Sequence, residues 1–352
     1  MTLFAELKRQ IDSITSSTDK PQIGMLNPAA DTPEIMVYKT ASGFFYQLKR
    51  GNPPAGLKVS ADYQTLEFIP GEQVEGGIDR SRFLMRTAFE CRFTHEGIVS
   101  LHGACVERDG HAVVFTGYSG AGKSTRAQAW VEGLGARFMS GDRPAIRLEA
   151  DGTATACGVP WDGKEQIFCD AEAPLKCILD VRRSPANYVR KLTKKQAQVL
   201  LTQQAFIPMW DTDAAVMAMA NVRRLQATVP VYRVFCGMYA DDARAIYDIL
   251  FNHPELIREP GGEDMKIADG FTMRSVLDEH MIMPTGDNIA KFGGTVVLND
   301  VSAFVFEQLK TPVTREDLLA AILAEYEVDE ATAAKDLDAL LSQFRELGML
   351  EE

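Results

Sequence analysis

The stretch HAVVFTGYSGAGKSTRAQAWVEGL, residues 111–134, carries the pattern from which the fold of this chain can be inferred. Its residues 117–124, here called the phosphate loop, match the pattern G-x-x-x-x-G-K-[ST] at every fixed position. The apolar run 112–116 predicts a strand before the loop, and the segment from Ser124 onward predicts a helix after it. A strand, a glycine-rich loop and a helix in this order are typical of a site that binds nucleotide phosphates.

Each part of the phosphate loop suits this chemistry. Its glycines allow backbone N–H groups to curl around phosphate oxygens, and the following helix adds its positive N-terminal end. Lys123 supplies a point charge for the outer phosphates, and the Ser124 hydroxyl is a hard oxygen ligand suited to Mg²⁺. We therefore predict ATP and Mg²⁺ as ligands. The predicted nucleotide-binding residues are Gly117, Ser119, Gly120, Ala121, Gly122, Lys123, Ser124 and Thr125.

Two residues outside the loop are candidates for phosphoryl transfer, which also needs a carboxylate for the metal or the nucleophile. The next apolar segment ends at Asp142, which we predict to bind Mg²⁺ together with Ser124 or to take a proton from an incoming hydroxyl. A simple surface turn is the alternative. His102 falls in the predicted strand IVSLHGACVE (98–107), where a histidine is more often a hydrogen-bonded core residue. The predicted catalytic residues are Asp142, His102 and Lys123.

The rest of the chain alternates between predicted helices and strands, which indicates an α/β core. Helices are predicted at 1–20, 80–95, 241–252 and most of 193–221, and strands within 34–70 and at 174–181 and 229–236. The polar segment 253–266, with two prolines and a Gly-Gly pair, is the best linker candidate. The predicted parts are a β-rich N-terminal region (1–95), a nucleotide-binding domain (96–254) and a small C-terminal α+β domain (265–352).

Composition limits the partners and the compartment. The 352 residues carry a formal net charge of −12, which argues against binding to nucleic acid or to an anionic membrane. No stretch is apolar enough to span a membrane, and the N-terminus lacks the features of a signal peptide. The six cysteines include no CxxC pair and no histidine at ligand spacing. We therefore expect a cytoplasmic protein with buried free thiols and no zinc site.

The run SLHGACVERDGHAVVFTGYSGAGKSTRAQAWVEGLGARFMSGD (100–142) resembles the core of HPr kinase/phosphorylase, and its nucleotide site is similar to that of phosphoenolpyruvate carboxykinase. The resemblance covers about residues 98–250 and implies an active-site role for His102. In that family the strand ends in two aspartates, one of which acts as a base, whereas here Gly141 takes the first position. This departure leaves open whether Asp142 is base, metal ligand or both.

The segment GVPWDGKEQ (158–166) is similar to a signature of HPr-kinase-like proteins from clusters that make peptide natural products. The resemblance implies that Trp161 and Lys164 form a loop over the phosphates or the acceptor. A plain β-turn with a half-buried tryptophan explains the same residues equally well.

Residues 267–350 resemble PqqD, a small leader-peptide-binding domain with a winged-helix-like α+β fold, also called a RiPP recognition element. The resemblance rests on an early hairpin, Leu298-Asn299 after a strand, the helices VSAFVFEQL and TREDLLAAI, and a final helix ending in LGML. In that family a leader peptide adds as a strand beside the third strand and packs on the third helix. The resemblance implies that GTVVLND (294–300) is the docking strand and that part of the final helix lines a groove. The helix residues in question are Leu337, Leu340, Leu341, Phe344 and Arg345.

The same apolar helix residues are also what a plain domain core requires, so the sequence leaves both interpretations open. Residues 265–352 contain 7 Lys and Arg against 17 Asp and Glu, which favours a leader peptide with basic residues.

The leading hypothesis is a kinase that captures a precursor peptide by its leader and phosphorylates a Ser or Thr hydroxyl with ATP. A small-molecule hydroxyl kinase and a non-catalytic nucleotide-binding adaptor that presents a leader peptide are the alternatives. The sequence does not identify the peptide, the acceptor residue or the phosphoryl donor, and it leaves open the role of residues 1–95. HPr kinases are oligomers, but no residue of this sequence indicates that this chain is one. The sequence therefore also leaves the oligomeric state open.

Overall fold

A computed structural model describes residues 1–18, 21, 28–32, 34–51, 53–71, 80–161, 169–184, 186–276, 279–286 and 296–351. The chain divides into two compact units. The first unit comprises Met1–Val181, Ala197–Tyr232 and Tyr239–Arg244, and the second comprises Arg182–Gln196, Arg233–Met238 and Ala245–Glu352.

Helices separate runs of consecutive strands along the described chain. The helices are α1 (Leu3–Ser13), α2 (Arg80–His95), α3 (Lys123–Leu134), α4 (Lys194–Gln204), α5 (Thr212–Thr228), α6 (Ala240–Tyr247), α7 (Asp300–Gln308), α8 (Arg315–Glu325) and α9 (Glu330–Glu346). A π-helical turn (Asp248–Asn252) and a 3₁₀ turn (Pro254–Leu256) follow α6.

Short strands make up the rest of the regular structure. Those before α3 are β1 (Thr15–Ser16), β2 (Ala30–Asp31), β3 (Ile35–Thr40), β4 (Gly43–Gly51), β5 (Pro54–Ser60), β6 (Leu66–Ile69), β7 (Ile98–Ser100), β8 (Gly103–Arg108) and β9 (His111–Thr116). Those between α3 and α6 are β10 (Arg137–Ser140), β11 (Ala145–Leu148), β12 (Ala154–Cys157), β13 (Glu172–Arg183), β14 (Tyr188–Lys191) and β15 (Val231–Cys236). Those after α6 are β16 (Lys266–Ile267), β17 (Phe271–Val276), β18 (Glu279–Pro284), β19 (Val296–Leu298) and β20 (Leu350–Glu351).

The N-terminal part of the first unit is a sheet with the strand order β1-β6-β5-β4-β3-β2. Strands β3 to β6 form an antiparallel meander, as the turn residues between 34 and 70 predict. Helix α2 covers this sheet with Leu84, Ala88 and Cys91, which are buried with the apolar side chains of β3, β4 and β5. The N-terminal helix is shorter than predicted, because α1 ends at Ser13.

A second sheet of the first unit contains the path β10-β8-β9-β13-β12-β11-β7. Strands β8 and β9 are joined by a hairpin at Asp109 and Gly110, whose φ angles of 51° and 75° are the left-handed values that an Asp-Gly turn favours. Strand β9 runs parallel to β13, whereas β10 and β9 both run antiparallel to β8. The carboxyl ends of β9, β10 and β13 therefore meet the amino end of β8 at one edge.

The predicted single strand at 98–107 is wrong. The structure has two strands there: β7 pairs with β11, and β8 pairs with β9 and β10. His102 lies in the break between them, where its N–H donates to the Gln204 carbonyl at 2.8 Å instead of to a neighbouring strand. The following Gly103 allows the close approach, because a Cβ there would lie 2.5 Å from the Phe115 carbonyl oxygen.

In the second unit, β17, β18 and β19 form an antiparallel sheet in that order, and α7, α8 and α9 share a core with it. The segment 253–266 is packed rather than a loose linker. Arg258 lies over the Tyr188 ring at 4.0 Å, and Met265 exchanges backbone hydrogen bonds with Val313. Met265 and Ile267 are buried in the domain core.

Two further expectations concern the chain as a whole. All six cysteines are free thiols, and five of them are buried, as predicted. In the described part of the chain, no helix combines the length and the apolar character needed to cross a membrane.

Candidate functional site

The phosphate loop connects β9 to α3, as its sequence predicts. Gly120 and Gly122 have φ angles of 82° and 83°, and Gly122 caps α3 without a side-chain hydrogen bond. The Lys123 ammonium donates to the carbonyl oxygens of Gly117 and Tyr118, each at 3.1 Å. The lysine therefore lies across the loop beside the amino end of the helix, an arrangement suited to an anion.

The remaining residues of the phosphate loop differ in solvent exposure. Ser119, Gly120 and Thr125 are exposed, and Ser124 is half-buried in the first turn of α3. A Cβ at Gly120 would meet nothing within 4 Å, so the loop is open on that side.

His102, Asp142 and Lys123 come together at the edge of the sheet. The His102 Nε2 atom lies 3.7 Å from Asp142 Oδ1. Burial and the neighbouring Lys123 charge lower the pKa of His102, although Asp142 acts in the opposite direction. Burial likewise lowers the pKa of Lys123, with Asp142 again opposing the shift. The three predicted catalytic side chains are thus close enough for their charges to affect one another.

An ionic network around Asp142 was not predicted from the sequence. The Arg86 Nη1 atom lies 3.3 Å from Asp142 Oδ2, and Arg86 Nε lies 3.9 Å from the buried Glu90. Glu90 also accepts a hydrogen bond from Ser100 at 2.6 Å and lies 3.8 Å from Arg143 Nε. The available signal was an Arg-Glu pair four residues apart on the apolar helix 80–95.

Asp180 is a second acidic residue at this edge that sequence reasoning missed. It is fully buried near the end of β13, in register with Thr116 at the end of β9. A Cβ at Gly117 would lie 3.1 Å from Asp180 Oδ1, so the loop backbone passes close to the carboxylate. The signal was an aspartate within the apolar run ILDV (178–181).

Trp161 is buried, whereas the simple β-turn interpretation predicts a half-buried tryptophan. Its ring stacks on Phe89 and Phe93, with centroids 5.9 Å and 6.0 Å away, and only 5% of the residue is exposed. Its contacts are therefore with the apolar face of α2. Lys164 lies outside the described residues.

Metal ligands were predicted at Ser124 and Asp142. Within the described ranges, no cluster of three or more His, Cys, Asp or Glu side chains is placed to hold a metal ion.

Among the described strands of the second unit, one sheet ends in a strand that leads directly into a groove. Strand β19 is the outermost strand of the order β17-β18-β19, and Val297 is 63% exposed. A groove of about 380 Å³, here called the C-terminal groove, lies between the start of α7 and α9. Its apolar lining includes Val305, Ile322, Leu337 and Leu340.

The predicted groove residues separate into two groups. Leu340 is half-buried and lines the C-terminal groove, and Leu337 lines it although it is buried in the domain core; Leu341 and Phe344 are buried in the core and do not line the groove. Arg345 is exposed and does not line the groove. Leu340 lies on the face that the groove leaves accessible, whereas Leu337, Leu341 and Phe344 face the core. Of the predicted docking strand, residues 294 and 295 lie outside the described part.

Comparison with known proteins identifies this C-terminal region. The family described as coenzyme PQQ synthesis protein D (PqqD) matches residues 279–350. Residues 279–350 form a PqqD domain.

Two solved structures are similar to about a quarter of the chain. One is TbiB1 in complex with the TbiA(beta) leader peptide, with 27% identity, coverage of 24% of this chain and 94% of that chain, and a TM-score of 0.22. The other is lasso peptide synthetase B1 complexed with its leader peptide, with 20% identity, coverage of 25% and 98%, and a TM-score of 0.22. No curated protein matches the chain.

Two carboxylates lie in or next to the lining of the C-terminal groove of the PqqD domain. Asp336 lines the groove, and the exposed Asp300 begins α7 at its edge. Asn299 caps α7 by accepting a hydrogen bond from the Ser302 N–H at 2.8 Å. The groove therefore combines an apolar floor with the Asp336 carboxylate at its rim, and Asp300 lies between the lining residues Asn299 and Val301.

Proposed function

We propose that this chain is a peptide kinase. Its PqqD domain captures the leader segment of a precursor peptide, and its first unit transfers the γ-phosphoryl group of ATP to a Ser or Thr hydroxyl of that peptide. Capture by the leader raises the effective concentration of an acceptor that would otherwise bind weakly.

The binding half is supported by the PqqD match together with the β19 edge. An extended peptide that adds to an open strand gains main-chain hydrogen bonds, and neighbouring pockets select its side chains. The exposed Val297 and the C-terminal groove supply both elements. The two carboxylates in or next to the groove lining favour a leader with basic residues.

The catalytic half rests on one observation: Lys123, Asp142 and His102 meet at the sheet edge from which the phosphate loop emerges. The open, glycine-lined loop and the amino end of α3 fit the phosphates of ATP. Mg²⁺, when bound, supplies charge neutralisation, and Ser124 and Asp142 are the residues that would hold it.

The reaction forms a bond between the acceptor oxygen and the γ-phosphorus and breaks the bond to ADP. The hydroxyl proton needs an acceptor in this reaction. The Asp142 carboxylate and His102, whose lowered pKa favours the neutral imidazole, are both available beside the loop. Lys123 stabilises negative charge on the transferred group.

The test uses the full chain, ATP, Mg²⁺ and a precursor peptide encoded beside its gene. The wild type should add one phosphate to the peptide, measured by mass spectrometry. Lys123→Ala should lose turnover at least a hundredfold while fluorescence anisotropy shows unchanged affinity for a labelled leader segment. Lys195→Ala, which changes an exposed lysine on α4, is the matched control and should behave as wild type.

Other outcomes favour the alternatives. ADP formation with free hydroxyl compounds but with no gain in peptide mass would indicate a small-molecule kinase. Leader binding without ATP turnover on any acceptor would indicate an adaptor. Phosphorylation that survives in Lys123→Ala would refute the proposed catalytic site.

A further inference from the structure

The first unit contains a second concave surface that the proposed phosphate site does not use. A groove of about 220 Å³, here called the N-terminal groove, lies between α1, α2 and the Pro160-Trp161 segment. Its walls are largely apolar and include Phe4, Ile11 and Trp161. Pockets for drug-sized ligands span about 300–1,000 Å³, so this volume suits one side chain of a larger substrate.

The charge of this groove differs from that of the whole protein. Three cationic side chains (Lys8, Arg82 and Arg86) and one carboxylate (Asp12) line it, although the chain carries a net charge of −12. Arg86 is paired with Asp142, but the cations of the lining still outnumber its one carboxylate, and such a local charge complements an acidic partner.

The groove lies next to the residues proposed for catalysis. Arg86 lines the groove, and its Nη1 atom is 3.3 Å from Asp142 Oδ2. One arginine side chain therefore connects the groove to the carboxylate that faces His102. The groove and Asp142 are therefore separated by no more than the length of the Arg86 side chain.

The walls of the groove are held in place by buried contacts. The Leu3 N–H donates to Glu172 Oε1 at 2.7 Å, and Leu3 and Leu7 bury one face of α1. Gln10 of α1 accepts a hydrogen bond from the buried Arg92 of α2. The surface is thus part of the fold itself. Binding sites are usually formed in this way before the ligand arrives.

We infer that the N-terminal groove is the acceptor subsite of the proposed kinase. It takes an apolar side chain next to the reacting Ser or Thr, and the exposed Lys8 pairs with an acidic residue beside that side chain. The inference rests on the proposed function and names the class of acceptor: a peptide segment with an apolar and an acidic residue next to the hydroxyl.

The test compares two synthetic fluorescein-labelled acceptor peptides with the full chain. Both contain a leucine beside the serine; one has a glutamate next to the leucine and the other a lysine. The glutamate peptide should have a KM about threefold to tenfold lower at low salt, a range set by the modest strength of exposed ion pairs, and the preference should shrink as salt rises.

Two charge reversals on α1 distinguish a contact inside the groove from an effect of the overall charge of the protein. Lys8→Glu should abolish or invert the preference, because Lys8 lines the groove. Arg9→Glu should leave it intact, because Arg9 is also exposed on the same helix but does not line the groove. Equal effects of the two variants would overturn the inference.

A binding measurement keeps this inference separate from the kinase proposal. Anisotropy of the two labelled peptides with Lys123→Ala protein reports on the groove without turnover. A preference for the glutamate peptide that Lys8→Glu removes supports the groove even if no phosphate is transferred. Suppose that the wild type phosphorylates the precursor peptide, but that Lys8→Glu changes neither the KM preference nor the binding preference for the glutamate peptide. The kinase proposal then stands, and the proposed acceptor subsite is wrong.

Discussion

Removing the Asp317 carboxylate should lower the free energy of unfolding far more than removing an exposed carboxylate of the same domain. Asp317 is fully buried on α8, where its Oδ1 atom lies 2.7 Å from Arg190 Nε of β14. The Tyr188 hydroxyl donates to the same carboxylate at 3.3 Å. Asp317→Ala would leave the Arg190 charge buried with one neutral acceptor, the Glu259 carbonyl at 3.2 Å.

The expected cost follows from this burial. Breaking a buried ion pair by removing one partner destabilises a protein by about 3–5 kcal/mol, and the remaining carbonyl contact places this variant near the lower end. The matched control is Asp338→Ala, because Asp338 forms an exposed pair with Arg315 in the same domain. Exposed pairs contribute about 0–1 kcal/mol, so the two variants should differ by at least about 2 kcal/mol.

Urea unfolding followed by circular dichroism measures the free energy of unfolding of each variant. The double variant Arg190→Met/Asp317→Leu should recover much of the loss, since it removes both charges together. Leader binding should fall with stability, because α8 also carries Ile322 into the C-terminal groove. An Asp317→Ala cost no greater than that of Asp338→Ala would refute the reasoning.

Three further changes test other parts of the molecule. Gly117→Ala should weaken ATP binding at least tenfold in calorimetry, because its φ is 133° and the new Cβ would lie 3.1 Å from a buried carboxylate oxygen; Gly152→Ala, at another turn with positive φ, should not. Glu172→Gln should lower the free energy of unfolding at pH 7. Burial opposes ionisation of Glu172, but the Arg147 guanidinium and a backbone N–H still hold its pKa below the usual range. Its stabilising effect is therefore fully present above its unfolded pKa of about 4.3 and is lost as pH falls through the lower folded pKa. In urea unfolding, the difference from wild type should shrink steadily as the pH is lowered below about 4.3. Val297→Lys should weaken leader binding at least tenfold in anisotropy, because it replaces an apolar contact by a charge that repels a basic leader. It should change the free energy of unfolding by less than about 0.5 kcal/mol, since Val297 is 63% exposed; unchanged affinity would exclude β19 as the docking strand.

Local signals in the sequence were sufficient to predict many separate elements of this protein. The glycine pattern of residues 117–124 requires a turn with left-handed backbone between a strand and a helix, and the structure has that turn. The Asp109-Gly110 pair predicts the β8–β9 hairpin for the same reason. These features depend on neighbours along the chain, so their backbone preferences are visible in the sequence itself.

The arrangement of the candidate site depended on the order of strands in the sheet. His102 faces Asp142 only because the predicted strand 98–107 breaks in two and β8 lies between β9 and β10. Arg86 joins them from a helix outside the nucleotide-binding domain predicted at 96–254. Helical spacing alone also could not assign Leu340 to a groove and Leu341 to the core. Contacts between distant segments depend on how whole elements pack together, and one sequence without its fold does not contain that information in any local pattern.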